Sequence, residues 1–123
     1  MDIMDRQVVS VGENEEIRTA AQKLLKGEIN HLPVIGSDNR LVGIVTTFDI
    51  SKAVANPGNA SMVHDIMKKK VVTTTTDEAV DIAVRKLEQN NISALPVLDA
   101  EGHVIGMLTA INLGKLFGGR WLK

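Results

Sequence analysis

The sequence contains no cysteine among its 123 residues and is nearly free of aromatic residues, with two phenylalanines, one tryptophan and no tyrosine. The missing thiols exclude disulfides, thiolate metal sites and a cysteine nucleophile, and they are compatible with a reducing compartment. The scarcity of aromatic rings leaves no stacking platform for single-stranded nucleic acid. The core must therefore be aliphatic, in a chain of which 44% is hydrophobic.

The chain also lacks an excess of charge, since its formal net charge is −1. No overall field favours nucleic acid or a membrane surface. The one basic cluster, 68–70, is explained by a solvated turn before a strand, although it could also lie beside a phosphate. The N-terminus lacks a signal-peptide apolar run, and no stretch approaches membrane-spanning length. We expect a cytoplasmic protein with no nucleic-acid or membrane partner.

What the chain does contain is a repeat at a constant offset of 63 residues, the separation of Asp2 from Asp65. Asp2-Ile3-Met4 returns as Asp65-Ile66-Met67, Val8-Val9 as Val71-Val72, Leu32-Pro33-Val34 as Leu95-Pro96-Val97, and Gly43 and Thr46 as Gly106 and Thr109. Ordered blocks at one offset over the whole length indicate a tandem duplication. We divide the chain into repeats at 1–58 and 59–123.

Both repeats predict the same order of elements. The first predicts a strand at 8–11, a helix capped by Asn14 and stopped by Gly27, a hairpin of strands 29–35 and 40–46, and a helix at 48–55. The second predicts a strand at 71–75, a helix capped by Asp77 or Thr76 and ended by Asn90-Asn91, a hairpin of 95–98 and 103–109, and a helix ended by Gly118-Gly119.

Neither repeat, at about sixty residues, buries enough surface to be more than marginally stable alone. We therefore predict an α+β fold of two β-α-β-β-α units packed sheet to sheet with pseudo-twofold symmetry. Two related clefts would then receive the strand–helix junctions. Those junctions are 43–50 and 106–113, where an apolar strand runs through hydroxyls into a helix. Helix N-termini attract anionic, oxygen-rich groups, and the Asp49 carboxylate could accept two hydrogen bonds from a vicinal diol.

The Asp-Ile-Met opening, the Leu-Pro-Val strand and the Gly-Ile-Val-Thr-Thr-Phe-Asp junction, all duplicated, resemble a tandem pair of CBS domains (a Bateman module) of archaeal or bacterial type. The resemblance covers essentially the whole chain. It implies a regulatory, non-catalytic module that binds an adenosyl ligand such as AMP, ATP, S-adenosylmethionine or methylthioadenosine. It also implies a homodimer and an attached or separate effector protein.

The resemblance implies two sets of ligand-binding residues, each drawn from both repeats. The Asp49 set, which we regard as primary, comprises Ile44, Thr46, Thr47, Phe48, Asp49, Val71, Val72, Thr73, Ala79, Ile92, Ser93, Ala94 and Pro96. The Asn112 set comprises Val8, Val9, Ser10, Ile29, Asn30, His31, Pro33, Met107, Thr109 and Asn112. Asp49 would hold the ribose hydroxyls, and Thr46 the ribose or a phosphate.

The sequence departs from the family pattern at two places. Asn112 stands where an acid is expected, and an amide bonds a diol without charge assistance. Asn30-His31 and Ser93-Ala94 stand where members that hold several phosphates often place arginine. This favours AMP or a sulfonium or thioether adenosyl compound over ATP.

Simpler interpretations accompany each candidate. Thr46-x-x-Asp49 also fits a helix capping box, and the two roles can coexist. His31, His64 and His103 have no metal-ligand spacing and no clustered carboxylates, so we predict no metal site. The alternative function is a ligand-free dimerisation module. The two repeats take up the whole of the given sequence and leave no effector domain within it. We therefore expect either a stand-alone module that acts on a partner or a piece of a longer protein.

Overall fold

The computed structural model describes residues 4–116, which form two compact units. The first unit is Val9–Val71, and the second joins residues 4–8 to residues 72–116. The units therefore do not follow the boundaries of the sequence repeats. The segment that opens the second repeat folds with the first unit, and the start of the chain folds with the second.

The first unit contains a three-stranded sheet and three helices. Its elements are β1 (Val11–Gly12), α1 (Ile17–Gly27), β2 (His31–Ile35), β3 (Leu41–Thr46), α2 (Thr47–Ala55) and the short α3 (Val63–Ile66). The sheet order is β1-β2-β3, with β1 parallel and β3 antiparallel to β2.

The second unit repeats this arrangement. Its elements are β4 (Thr74–Thr75), α4 (Val80–Asn90), β5 (Ala94–Leu98), β6 (Val104–Thr109) and α5 (Ala110–Leu116). The sheet order β4-β5-β6 has the same parallel and antiparallel pairings. The mixed α+β class and the duplicated β-α-β-β-α order are confirmed.

Each unit buries an aliphatic core, as the scarcity of aromatic residues requires. In the first unit, Ala20 and Leu24 on one face of α1 pack with Leu32, Val34 and Val45 of the sheet. In the second unit the corresponding members are Ala83, Leu87, Leu95, Val97 and Leu108. Removing apolar surface from water at these positions is the main stabilising contribution.

The repeated glycines lie where another chain segment crosses the hairpin. Ile44 of β3 exchanges two backbone hydrogen bonds of 2.9 Å with Lys68. A Cβ on Gly43 would lie 2.7 Å from the Met67 sulfur and 2.9 Å from the Lys68 carbonyl oxygen. In the second unit Met107 pairs with Asp5 in the same way, and a Cβ on Gly106 would collide with Met4. Only glycine allows so close an approach.

Several predicted helix ends are wrong. The N-cap of α1 is Glu16 and not Asn14, and the N-cap of α4 is Ala79 and not Asp77 or Thr76. Gly27 is the last residue of α1, and the left-handed residue that ends the helix is Glu28, with φ 52°. The Glu28 backbone N–H donates to the carbonyls of Leu24 and Leu25 in the last turn. This capping hydrogen bond uses the backbone and needs no particular side chain. The predicted end of the second helix at Asn90-Asn91 is confirmed, since Asn90 is the last residue of α4 and Asn91 is its left-handed cap.

The first strand of each repeat is shorter than predicted. Only Val11 of the run 8–11 pairs with β2, together with Gly12 beyond the run, and only Thr74 and Thr75 of the run 71–75 pair with β5. Helix α3 was not predicted, since four residues carry no periodicity. The predicted helix stop at Gly118-Gly119 lies outside the described residues. Within residues 4–116 no helix is both long and apolar enough to cross a bilayer.

Candidate functional site

Asp49 lies in the first turn of α2 and closes a capping box with Thr46. The Asp49 backbone N–H donates to the Thr46 hydroxyl at 3.2 Å, and the Thr46 backbone N–H donates to Asp49 Oδ2 at 2.9 Å. The Thr46 hydroxyl also donates to Oδ2, at 3.0 Å. The capping role proposed beside the binding role is therefore present, and it fixes the orientation of the carboxylate.

Two lysines approach the other carboxylate oxygen of Asp49. Lys68 Nζ donates to Oδ1 at 3.0 Å, and Lys52 Nζ lies 3.7 Å away while it stacks over the Phe48 ring. The Asp49 side chain is only 1% exposed. Burial alone would raise the pKa of the Asp49 carboxyl, but the hydrogen bonds from Lys68 and Thr46 outweigh it, so the pKa lies below its usual value. Asp49 is thus an anion with both oxygens engaged.

Asn112 repeats the geometry of Asp49 in the second unit. The Thr109 backbone N–H and hydroxyl donate to Asn112 Oδ1 at 3.0 and 2.8 Å, and the Asn112 backbone N–H donates to the Thr109 hydroxyl at 3.1 Å. Because the oxygen faces Thr109, the amide NH₂ must face away from the cap. The two junctions therefore offer an anion in one unit and a neutral donor in the other.

In each unit the junction lies beside the start of the central strand. The Thr47 backbone N–H donates to the Asn30 carbonyl at 3.0 Å, and His31 is the cross-strand partner of Thr46. In the second unit the Ala110 N–H donates to the Ser93 carbonyl at 2.9 Å, and Ala94 is opposite Thr109. Each unit thus brings residues of the Asp49 set next to residues of the Asn112 set. Two further pairs also join the sets: Pro33 of the Asn112 set is opposite Ile44 of the Asp49 set, and Pro96 of the Asp49 set is opposite Met107 of the Asn112 set.

The remaining predicted residues belong to strand edges, loops and core margins. Val72 and Ile29 pack against the cores of their units, whereas Phe48, Val9 and Ile92 are exposed. Val8 and Thr73 are half-buried, as is Val71, and Ala79 precedes α4. Each of the two sets draws on both units, and the assembly of either set into one site stays a prediction.

Two lysine hydrogen bonds at the predicted sites were not predicted from the sequence. Lys23 on α1 donates to the Ser10 carbonyl at 2.8 Å, and Lys86 on α4 donates to the Thr73 carbonyl at 2.7 Å. Lys86 also pairs with Glu78, and the pKa of Glu78 is lowered by this hydrogen bond and by that from Thr74. These lysines tie the first strand of each repeat to its helix. Lys23 and Lys86 are separated by the repeat offset of 63 residues, and this was the signal in the sequence that could have identified them.

The histidines differ from one another. Burial lowers the pKa of His31 below its usual value. The expectation that no carboxylates cluster with a histidine is wrong for His103, because its ring and the carboxylates of Asp99 and Glu101 offer ligand atoms within 4.8 Å of one another. Asp99 accepts the backbone N–H groups of Glu101 and His103, so the cluster follows from the shape of the β5–β6 turn.

The first unit also carries an unpredicted apolar groove of about 490 Å³ between α1 and α2. Its lining residues are Ala21, Leu24, Leu25, Glu28, Ile29, Asn30, Thr47, Ile50 and Ser51. Leu25, which lines the groove, is 79% exposed, and Val54, one turn after Ile50 on α2, is 74% exposed. Large apolar side chains exposed together on two helices are typical of an interaction surface.

Comparison with known families agrees with the duplicated fold. The family model described as "CBS domain" matches twice, over residues 1–56 and 63–116. The chain belongs to the CBS-domain family. Each match falls within one of the two sequence repeats, so the chain carries a CBS pair.

The CBS pair is 45% identical over 117 residues to a homoserine O-acetyltransferase of Methanosphaerula palustris, an alignment that covers 95% of this chain and 24% of that protein. An L-aspartate semialdehyde sulfurtransferase of Methanosarcina acetivorans is 39% identical over 120 residues, covering 98% of this chain and again 24% of the relative. The chain thus spans about a quarter of the length of the curated relatives it matches.

Among solved structures, the CBS domain pair of protein MJ0100 in complex with 5′-methylthioadenosine and S-adenosyl-L-methionine superposes with a TM-score of 0.86. It is 39% identical, and the match covers 97% of this chain and 94% of that one.

Proposed function

We propose that this CBS pair is a regulatory module that binds an adenosyl ligand and performs no chemistry of its own. One observation carries the proposal: a CBS pair that is 39% identical over nearly the whole chain has been crystallised with 5′-methylthioadenosine and S-adenosyl-L-methionine. A second CBS structure, CBSX2 in complex with AMP, is 25% identical with a TM-score of 0.83.

Asp49 is the residue that we propose to hold the ligand ribose. Its carboxylate is ionised, and Thr46 fixes its orientation at the start of α2. A vicinal diol donates two hydrogen bonds to a carboxylate, and the charge makes them stronger than neutral ones. Asn112 is proposed for the weaker second site, where its outward NH₂ would donate to a hydroxyl.

The adenosyl compounds that we propose are AMP, methylthioadenosine and S-adenosylmethionine ahead of ATP. The residue pairs at the starts of β2 and β5, Asn30-His31 and Ser93-Ala94, offer no arginine to a polyphosphate. The signal would arise from population shift: a ligand that prefers one arrangement of the module stabilises that arrangement by the difference in its two affinities.

Titration calorimetry of the chain with AMP, methylthioadenosine, S-adenosylmethionine and ATP tests the proposal. We expect saturable binding of at least one of the first three, and weaker binding of ATP. The absence of binding heat with all four, together with unchanged thermal unfolding in their presence, would contradict a ligand-binding function.

We also propose that the CBS pair acts on an effector, in the same polypeptide or separate from it. The matched region makes up only 24% of the relatives named above, so in those proteins a CBS pair accompanies a much larger remainder. The cytoplasmic location predicted from the sequence likewise stays a proposal.

A pairing function is the second candidate, and the exposed apolar residues of α1 and α2 favour it. Leu25 of α1 and Val54 of α2 would be covered if two copies paired through the exposed apolar residues of these helices. Sedimentation equilibrium would show a dimer that Leu25→Asp weakens and that Lys69→Asp, at an exposed residue outside the groove lining, does not. A monomer at all concentrations would contradict the pairing.

A further inference from the structure

We propose that Lys68 is a latch on Asp49, which an adenosyl ligand must displace, and that this lysine thereby favours AMP over the neutral nucleoside adenosine. The inference rests on the proposed function, because it takes Asp49 to be the ribose-binding residue.

The need for displacement follows from the oxygens of Asp49. Oδ2 already accepts two hydrogen bonds from Thr46, which form the cap of α2. Oδ1 accepts Lys68 Nζ at 3.0 Å, and the side chain is 1% exposed. A vicinal diol brings two donors, and the hydrogen bonds from Thr46 and Lys68 leave only one acceptor position on Asp49, on Oδ1, so either the helix cap or the lysine must give way. Breaking the cap would leave backbone N–H groups unsatisfied, whereas the lysine can return to water.

The position of Lys68 suits a latch because its backbone is fixed while its side chain is not. Both backbone hydrogen bonds to Ile44 hold the residue against β3 at 2.9 Å. The side chain is 52% exposed and has four rotatable bonds on which to swing away. The second lysine near Asp49, Lys52, is 3.7 Å away and lies over Phe48, so it is not a substitute for the 3.0 Å hydrogen bond.

The second unit provides an internal comparison. The offset of 63 residues makes Asp5 the counterpart of Lys68, and Asp5 makes the same two backbone bonds, here to Met107. There the capping residue is the neutral Asn112, and the Asp5 carboxylate accepts the backbone N–H of Gln7 instead. The lysine thus occurs beside the charged cap and not beside the neutral one. Lys68 compensates the negative charge of Asp49, and the backbone crossing itself does not require a lysine.

Displacement has a different cost for different ligands. A neutral nucleoside takes Asp49 from Lys68 and leaves the ammonium without a partner. A ligand with a phosphate can engage the released ammonium in a new charge-assisted hydrogen bond. A cationic sulfonium ligand gains nothing from it. The latch therefore favours AMP over adenosine beyond any direct contact with Asp49.

Calorimetry with adenosine and AMP on wild type, Lys68→Met and Lys69→Met tests this latch. Lys69 is the matched control, because it is an exposed lysine one residue away. We expect Lys68→Met to bind adenosine about two- to fivefold more tightly than wild type, the range that a partly exposed ion pair accounts for. The preference for AMP over adenosine should fall by at least a similar factor, and Lys69→Met should match wild type.

Adenosine affinity that is unchanged or weaker in Lys68→Met would overturn the latch while leaving the ligand-binding function intact. If neither wild type nor Lys68→Met binds any adenosyl compound, the proposed function is overturned and the latch with it. An independent measurement needs no ligand: carboxyl NMR should show that the pKa of Asp49 is higher in Lys68→Met than in wild type. An unchanged pKa would show that no ion pair exists to be displaced.

Discussion

At the scale of single residues, Asp49 has two roles in the first unit, since it closes the cap of α2 with Thr46 and forms an ion pair with Lys68. Thr46 and Asp49 lie three residues apart, and the capping box follows from that spacing alone. The ion pair of Asp49 with Lys68 could not be predicted, because it joins residues separated by 19 positions through a backbone crossing. The Asp99–Glu101–His103 cluster was missed for a different reason, since alternate residues converge only once a tight turn is known.

His31 gives a residue-scale prediction about pH. Burial lowers the pKa of His31 in the folded state, so the unfolded state takes up its proton first as the pH falls through about 6.5. The free energy of unfolding should therefore decrease as the pH falls from above 7 towards the folded-state pKa. Denaturant unfolding at a series of pH values should show this decrease in wild type.

The control variants are His31→Gln and His64→Gln. The first should have a flatter pH dependence than wild type over the same range, and the second should retain the contribution of His31. Identical profiles for wild type and His31→Gln would show that the imidazole is not desolvated in the folded state.

At the scale of elements, periodicity identified both long helices and the hairpins. Ala83 and Leu87 are buried on α4 as their spacing predicts. The helix starts were misplaced by about two residues, because side-chain capping preferences at Asn14 and Asp77 were outweighed by turns that leave Glu16 and Ala79 extended. The first strands were overextended, since β-branched composition does not reveal how many residues find a partner.

Gly43 carries the element-scale prediction. Gly43→Ala should lower the free energy of unfolding by about 1–3 kcal/mol, since the added methyl would overlap the Lys68 carbonyl and the Met67 sulfur. Gly58→Ala is the matched control, because a Cβ there meets no atom within 4 Å, and it should change stability by less than about 0.5 kcal/mol. Urea unfolding measures both. Equal stabilities of the two variants would mean that the crossing segment is not held against β3.

At the scale of the whole molecule, the duplication was the strongest signal. It predicted the family and the repeated order of elements, and both are confirmed. It did not predict that the segment opening each repeat folds with the other one, as Lys68 with β3 and Asp5 with β6. Sequence similarity between repeats records ancestry, whereas compact units are decided by backbone pairing.

Ligand binding also has a consequence for the stability of the whole molecule. A ligand that binds only the folded state adds about 2.7 kcal/mol at a concentration of 100 times its Kd. Thermal unfolding should therefore move to higher temperature with AMP, and the shift should be larger in wild type than in Asp49→Ala. A shift of equal size in both proteins would place the ligand away from Asp49.

The most direct test of the central claim is the affinity of the strongest-binding adenosyl ligand for wild type, Asp49→Ala and Asn112→Ala, measured by titration calorimetry. We predict that Asp49→Ala loses about 1.5–3 kcal/mol of binding free energy, the scale of hydrogen bonds to a charged group, and that Asn112→Ala loses less. Wild-type affinity in Asp49→Ala, with the fold intact, would contradict the assignment of the ribose to this carboxylate.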